Sequence, residues 1–404
     1  MPDTSYRWIV LVYSLVIQAV NVGILTYCFA LFSLPWIDFF EAPRRDVMLV
    51  ISCLQIGMGL VSPWVGRWMD QVPMRNIVLL GGVCLCAGLW LSSIATALWQ
   101  LWVIYATLMP LSTAMMGTLA AQTLMARWFV TQRGLALGIS AMGTNIGGII
   151  FPLLVAAMLN QWLWQDTLVY LAMMCAVLIL PLTWWILRRQ PPAQVIETDP
   201  TQTSEVAIDP DQKDWSTREI LLTPMFWLPF LCLVPLNTAF GALQFNLGGL
   251  ARDVGAADAT ALLIGVGALA MIAGKVFFGS SGDRLDHRLL FWIANTLMAL
   301  ALTALFWVES FGGLLGVVVL SGLAGGGILP MFGVIFSARF GARSFGRVMG
   351  LVMLSIMLGA AGPVLAGWSY DATGGYTLIA AGLLAVIAPA MIAMYWLPAP
   401  PSRG

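Results

Sequence analysis

The charged residues of this chain stand at the ends of eleven apolar intervals, and that spacing constrains the fold more than any motif does. The intervals run Arg7 to Asp38, Asp46 to Arg67, Arg75 to Arg127, Arg133 to Asp166, Asp166 to Arg188, Glu219 to Arg252, Asp258 to Asp283, Arg288 to Glu309, Glu309 to Arg339, Arg347 to Asp371 and Asp371 to Arg403. An uncharged run of about 20 residues crosses a hydrocarbon layer of roughly 30 Å as a helix. The third interval is long enough for two helices with a turn near Thr96 to Gln100, and the seventh is interrupted once, by Lys275. Twelve helices result, six on each side of residues 190–219. Only 9% of the residues are charged, against about 25% in a soluble domain, so a water-facing surface cannot be built around them. The expected fold is an all-α integral membrane protein, a twelve-helix chain in two six-helix bundles, residues 1–189 and 220–404.

Short cytoplasmic loops carry an excess of Lys and Arg. With the N-terminus in the cytoplasm, fifteen basic residues fall inside and only Arg44, Arg45 and Arg252 outside, Lys275 being within a span. An even number of spans returns the C-terminus to the same side, the arrangement of a multi-pass protein of a cell membrane such as the bacterial inner membrane. Residues 190–219 hold Pro191, Pro192, Pro200 and Pro210 among many charges, a composition that buries little and reads as a cytoplasmic linker. The first apolar run is too long for the h-region of a signal peptide and is expected to remain as helix 1. Six cysteines lie in apolar spans without metal-ligand spacing, so neither a disulfide framework nor a metal site is expected.

The two halves repeat one another. Gly66, Asp70 and Arg75 recur as Gly279, Asp283 and Arg288, each 213 residues later. Arg127, Gly134 and Gly138 recur as Arg339, Gly346 and Gly350, and Pro152 as Pro363 one residue out of step. Internal repeats are a mark of transporters. Small residues four apart allow close helix contact, the structural reading of Gly134/Gly138, Gly143/Gly147 and Gly346/Gly350. The run Gly325 to Gly327 lies in an apolar helix rather than after a strand, which argues against a phosphate cradle.

Twelve helices, a central loop and paired Gly-x-x-x-Asp loops with downstream bases resemble the major facilitator superfamily, over essentially the whole chain. The first copy has Gln71 and Pro73 where a base and a glycine are common; the second keeps Arg284 but has Asp286 and His287 in its turn. Two stretches, ARWFVTQRGLALGISAMGTNIGG (126–148) and SGLAGGGILPMFGVIFSARFGARSFGRVMG (321–350), resemble the monocarboxylate-porter and oxalate/formate-antiporter branch. Proton-coupled drug exporters fit less well, lacking here both their helix 4 arginine and their helix 5 Gly-Pro-x-x-Gly-Gly run.

Lys275 is the one ionisable residue well inside a span. Such a residue costs about 2.5–3.5 kcal/mol at mid-helix on insertion scales and faces a cavity or a partner, or else snorkels to the interface. Its helical face includes Ala268 and Met271. The resemblance implies that this position, four residues before Gly279, binds the substrate carboxylate, with lysine here in place of arginine; the acidic residue common one turn earlier is Met271. Candidate substrate contacts are Lys275, Gln18 and Asn21 on helix 1, Gln122 on helix 4, Asn145 with Thr144 on helix 5, and Asn237 and Gln244 on helix 7. Each uncharged candidate serves equally well as an interhelical hydrogen bond. The gating candidates are Gly66, Asp70, Arg75, Gly279, Asp283, Arg284 and Arg288, with Arg127, Arg133 and Arg339; a loop Asp that pairs with arginine or caps a helix of the opposite half would hold the cytoplasmic side shut.

The expected function is secondary active transport of a small organic anion, a monocarboxylate first, by proton symport or anion exchange, from a single chain in a lipid bilayer. No carboxylate lies well inside a span, so the proton would travel on the substrate or through Lys275. No cofactor and no nucleic-acid partner is expected. Three rivals share the pattern: an exporter or uniporter of another amphipathic compound, a transporter-like sensor, and an integral-membrane enzyme. The last is the poorest fit, since the lone His287 sits in a loop without paired carboxylates, nucleophile elbow or Walker sequence.

Overall fold

In the computed structural model the described residues are 6–129, 132–189, 215–282, 284–352 and 354–397, and they are helical with no strand. Among the described residues, twelve helices are long and apolar enough to span a bilayer. The first bundle comprises α1 (Tyr6–Phe40), α2 (Arg44–Met69), α3 (Met74–Ser93), α4 (Leu98–Trp128), α5 (Leu135–Leu159) and α6 (Trp164–Ile186). The second comprises α7 (Pro224–Phe245), α8 (Ala257–Ser281), α9 (His287–Ala304), α10 (Phe311–Gly341), α11 (Arg347–Thr373) and α12 (Thr377–Trp396). Each bundle has its own apolar core, one built around Trp36, Phe32 and Leu85 and the other around Phe226, Phe291 and Phe336. Large apolar side chains such as Trp64, Val177 and Trp185 instead point outward and stay exposed. That surface suits lipid rather than water.

Turn chemistry sets the helix ends. The turn between α3 and α4 falls at residues 94–97, slightly earlier than expected, because the Gln100 side chain accepts from the backbone N–H groups of Thr96 and Ala97 and so belongs to the first turn of α4. Gly341 ends α10 with φ 74°, a conformation that costs glycine little. Of the expected linker, residues 190–214 lie outside the described residues. Its last residues already enter a short helix, Thr217–Leu222, which Ser216 and Glu219 close with a capping box.

Glycines set how closely the helices pack. A Cβ on Gly143 would lie 2.4 Å from the Leu15 carbonyl oxygen, and one on Gly147 would lie 2.2 Å from that of Ala19, so α1 and α5 meet backbone to backbone. The second bundle does the same between α8 and α10, where a Cβ on Gly326 would lie 2.3 Å from the Met271 carbonyl oxygen. The Gly325 to Gly327 run is thus a packing surface, against Phe240, Met271 and Phe278. The contact role expected for Gly138 and Gly350 is corrected: a Cβ on either would meet open space, while the side-chain positions of Gly134 and Gly346 are outside the described set.

We call the side on which α1 begins and α12 ends the terminal face, and the other the far face. On the far face the halves are joined by a polar lattice. Arg44 makes a bidentate pair with Asp253 (2.8 and 3.1 Å), donates to the Tyr376 hydroxyl (2.7 Å) and lies 3.3 Å from the Tyr370 ring centroid. The carboxylate of Asp371 accepts from the backbone N–H groups of Arg44 (3.0 Å) and Arg45 (2.9 Å). It thereby caps α2, whose own N-cap, Pro43, makes no side-chain hydrogen bond. Burial raises the Tyr376 hydroxyl above its ordinary pKa, so it stays protonated and accepts from Arg44. A deeper bond runs from Ser52 Oγ to the Ala360 carbonyl (2.6 Å). A Cβ on Gly367 would lie 2.8 Å from Arg45 Cα, the glycine that lets α11 approach α2.

Candidate functional site

A cavity of about 280 Å³ lies where the two bundles meet. Its walls come from α1, α2, α4 and α5 on one side and α7, α8, α10 and α11 on the other. Local breaks in the helices aim residues into it. In α1, Gly23–Tyr27 forms a π-turn closed by the Cys28 N–H to the Gly23 carbonyl (3.0 Å), and both Thr26 and Tyr27 reach the cavity. Such bulges recur at functional sites, where the extra residue turns the next side chains to a new face. In α4 the backbone leaves helical geometry at Thr107 and at Gly117, and the lining residues Thr113 and Thr118 flank the second break. Broken helices at the junction of the repeats are typical of transporter binding sites.

Lys275 is the only charged residue among the described residues lining this cavity. Its ammonium donates to Asn145 Oδ1 and contacts Thr144 Oγ1 (3.4 Å), both on the opposite bundle. Asn145 is fully buried, and its amide donates to the Ala268 carbonyl (3.2 Å) and reaches the Tyr27 hydroxyl (3.4 Å). The Tyr27 hydroxyl in turn lies 3.4 Å from Met271 Sδ. The lysine therefore faces the cavity and bridges the halves, neutralised by dipoles rather than by a carboxylate among the described residues. Asn237 and Gln244 line the same space, and Asn237 donates to the Ser355 carbonyl (3.0 Å).

Four expected substrate contacts are not among the lining residues; one is Asn145, which reaches Lys275 from its buried position. Gln18 donates to the Ser140 carbonyl and hydroxyl (2.7 and 2.8 Å), pinning α1 to α5, and Asn21 donates to Ser112 Oγ (2.9 Å), pinning α1 to α4. Gln122 is exposed on α4 below the break. The polar face of α1 serves packing inside its own bundle; the cavity face is reached one residue on, at Val22, and within the π-turn, at Thr26 and Tyr27. Gln55, Thr26 and Ser355 line the cavity without having been singled out from the sequence, where an isolated amide or hydroxyl carries no signal.

Several gating candidates make contacts within their own bundles. Arg75 stacks on Trp184 (4.2 Å), and Arg127 donates to the Met69 carbonyl. Arg288 donates to the Leu397 carbonyl, and Arg339 donates to the Ile335 carbonyl (2.9 Å) and lies 3.3 Å from His287 Nδ1. A Cβ on Gly66 or Gly279 would meet open space, and Arg284 lies exposed in its turn. The side chains of Asp70 and Arg133, and Asp283 as a whole, lie outside the described residues. The expected pairing of the loop residues Asp70 and Asp283 with arginine or a helix end of the opposite half therefore falls outside the described residues.

The model of the Major Facilitator Superfamily matches residues 11–248 and again 230–404. The chain belongs to the major facilitator superfamily. It is similar to an uncharacterized MFS-type transporter, YcxA, of Bacillus subtilis (26% identical over 396 residues, 94% of each chain). It is also similar to monocarboxylate transporter 13 of Bos taurus (24% over 388 residues, 93% of this chain and 85% of that one) and to the oxalate:formate antiporter of Oxalobacter formigenes (24% over 283 residues, 70% and 64%). The branch resemblance read from residues 126–148 and 321–350 thus has counterparts among the relatives. Among solved structures, a bacterial homolog of the human lysosomal transporter Spinster, in an inward-facing and unoccupied conformation, superposes with a TM-score of 0.74 at 17% identity, over 98% of this chain and 95% of that one. This member of the superfamily is a multi-pass membrane transporter.

Proposed function

We propose that the protein is a secondary active transporter of a small organic anion, a monocarboxylate, working as a single chain by alternating access, with its terminal face toward the cytoplasm of a bacterial inner membrane. The observation that carries this reading is the placement of Lys275: one cation, in a cavity between the repeats, held across the interface by neutral Asn145 and Thr144. A cargo carboxylate fits the position that Asn145 Oδ1 takes on the ammonium, and a charge-assisted bond to a carboxylate is stronger than one to an amide. Cargo binding then substitutes one partner of Lys275 for another and loosens a contact between the halves. On this orientation the far-face lattice closes the outside, and the loops after α2 and α8 lie on the cytoplasmic side.

Coupling depends on the chemistry of the cavity. With Lys275 as the one charged residue among the described lining residues, the proton crosses on the cargo carboxylate or through the lysine, which gives proton and monocarboxylate symport. The test is uptake into proteoliposomes loaded with a pH-sensitive dye. Monocarboxylate entry is expected to acidify the lumen in step with uptake; uptake that needs a trapped internal anion and leaves lumenal pH constant would replace symport by anion exchange.

A further inference from the structure

Resting on the anion reading above, we infer that the cargo is a monocarboxylate with a bulky apolar body, aryl or branched-chain, of roughly ten non-hydrogen atoms. Its carboxylate sits on Lys275 and its body against the α7 and α10 wall. Formate, acetate, oxalate, larger dicarboxylates and amino acids are excluded. Three features of the cavity carry this.

The first is charge. A second carboxylate on the cargo would be buried without a cation among the described lining residues, and an ammonium would be buried without an anion. An unpaired charge in such a site costs far more than the contacts around it return. The second is size. About 280 Å³ corresponds to roughly nine waters at ~30 Å³ each, which a two-carbon acid would leave mostly unfilled. The third is the wall. Phe240, Phe245, Ile328, Leu329 and Phe332 face the space, and Phe240 is held against Gly325, where a Cβ would lie 2.4 Å from the ring. Flat rings held by packing favour an aryl or branched body. Neutral donors and acceptors at Gln55, Asn237, Gln244 and Ser355 leave room for a hydroxyl or keto substituent on that body.

The test is equilibrium binding to the purified full-length protein in nanodiscs. The probes are phenylacetate, 4-methylpentanoate, acetate, oxalate, phenylmalonate, phenylalanine and phenylacetamide. Phenylacetate and 4-methylpentanoate are expected to bind at least about tenfold more tightly than acetate, from the apolar area their bodies bury. Phenylmalonate, which adds a carboxylate to phenylacetate, and phenylalanine, which adds an ammonium and one methylene, are expected to bind at least about a hundredfold more weakly than phenylacetate. Equal or tighter binding of acetate or oxalate would overturn this inference and leave the anion reading standing. So would binding of phenylmalonate as tight as that of phenylacetate. Phenylacetamide binding as tightly as phenylacetate, with Lys275→Ala changing neither, would instead overturn the anion reading and this inference with it. Absence of binding by both bulky acids at millimolar concentration would overturn the inference as well.

Discussion

Replacing Arg44 by alanine should open the far face. The side chain makes a bidentate pair with Asp253, a bond to the Tyr376 hydroxyl and a stack on Tyr370, all across the interface between the bundles. Hydrogen bonds to charged groups contribute about 1.5–3 kcal/mol each, but the Asp253 side chain is 30% exposed, so screening reduces its share. About 3 kcal/mol in total is a reasonable loss, because the Asp371 cap uses backbone N–H groups and survives the substitution. That is roughly a hundredfold in the balance between far-face-closed and far-face-open states, enough to bring a 99:1 population near parity. Spin labels at Glu41 and Ala257, exposed on opposite halves of this face, report the change by double electron–electron resonance. The background lacks the six native cysteines. The wild type should give one short distance; Arg44→Ala should add a longer one, and Asp253→Asn a smaller fraction of it. Superimposable distance distributions in all three proteins would refute the assignment of this lattice as the far-face latch.

Three further substitutions probe the cavity and the packing beneath it. Asn145→Asp places a permanent counter-ion on Lys275, so anion affinity should fall at least about tenfold in equilibrium binding while the melting temperature holds or rises; undiminished affinity would contradict the displacement of Asn145 by cargo. Gly147→Leu drives a side chain into the Ala19 carbonyl and should cost about 1–3 kcal/mol or more, seen as a lowered melting temperature. Gly138→Ala, whose new methyl meets open space, should leave the melting temperature unchanged or raise it. Equal melting of the two variants would show that the α1–α5 approach does not need its glycine.

Helix number and duplication were legible because charge is so costly in a bilayer that the gaps between charges mark the spans. Lys275 stood out for the same reason. Uncharged polar residues were harder to place: Gln18, Asn21 and Gln244 look alike in sequence, yet only Gln244 lines the cavity, because helical periodicity does not say which neighbour a face meets. The π-turn at Gly23–Tyr27, which carries no sequence signature of its own, moved the cavity-facing part of α1 to Thr26 and Tyr27. The far-face lattice was illegible for another reason. Arg44, Asp253, Asp371 and Tyr376 read as ordinary loop residues, and contacts spanning 209 to 332 positions are set by how the bundles dock. Gly143 and Gly138 carry the same small-residue spacing, and only the packed structure shows that one touches a backbone and the other does not.

The central claim is that Lys275 holds the cargo carboxylate. Its most direct test is uptake and equilibrium binding of one monocarboxylate by the wild type, Lys275→Ala and Lys275→Arg in matched proteoliposomes, with folding checked by thermal melting. Loss of both binding and uptake in the alanine variant, with binding kept at least in part in the arginine variant, is the predicted result. Undiminished binding and uptake by a folded Lys275→Ala protein would contradict it.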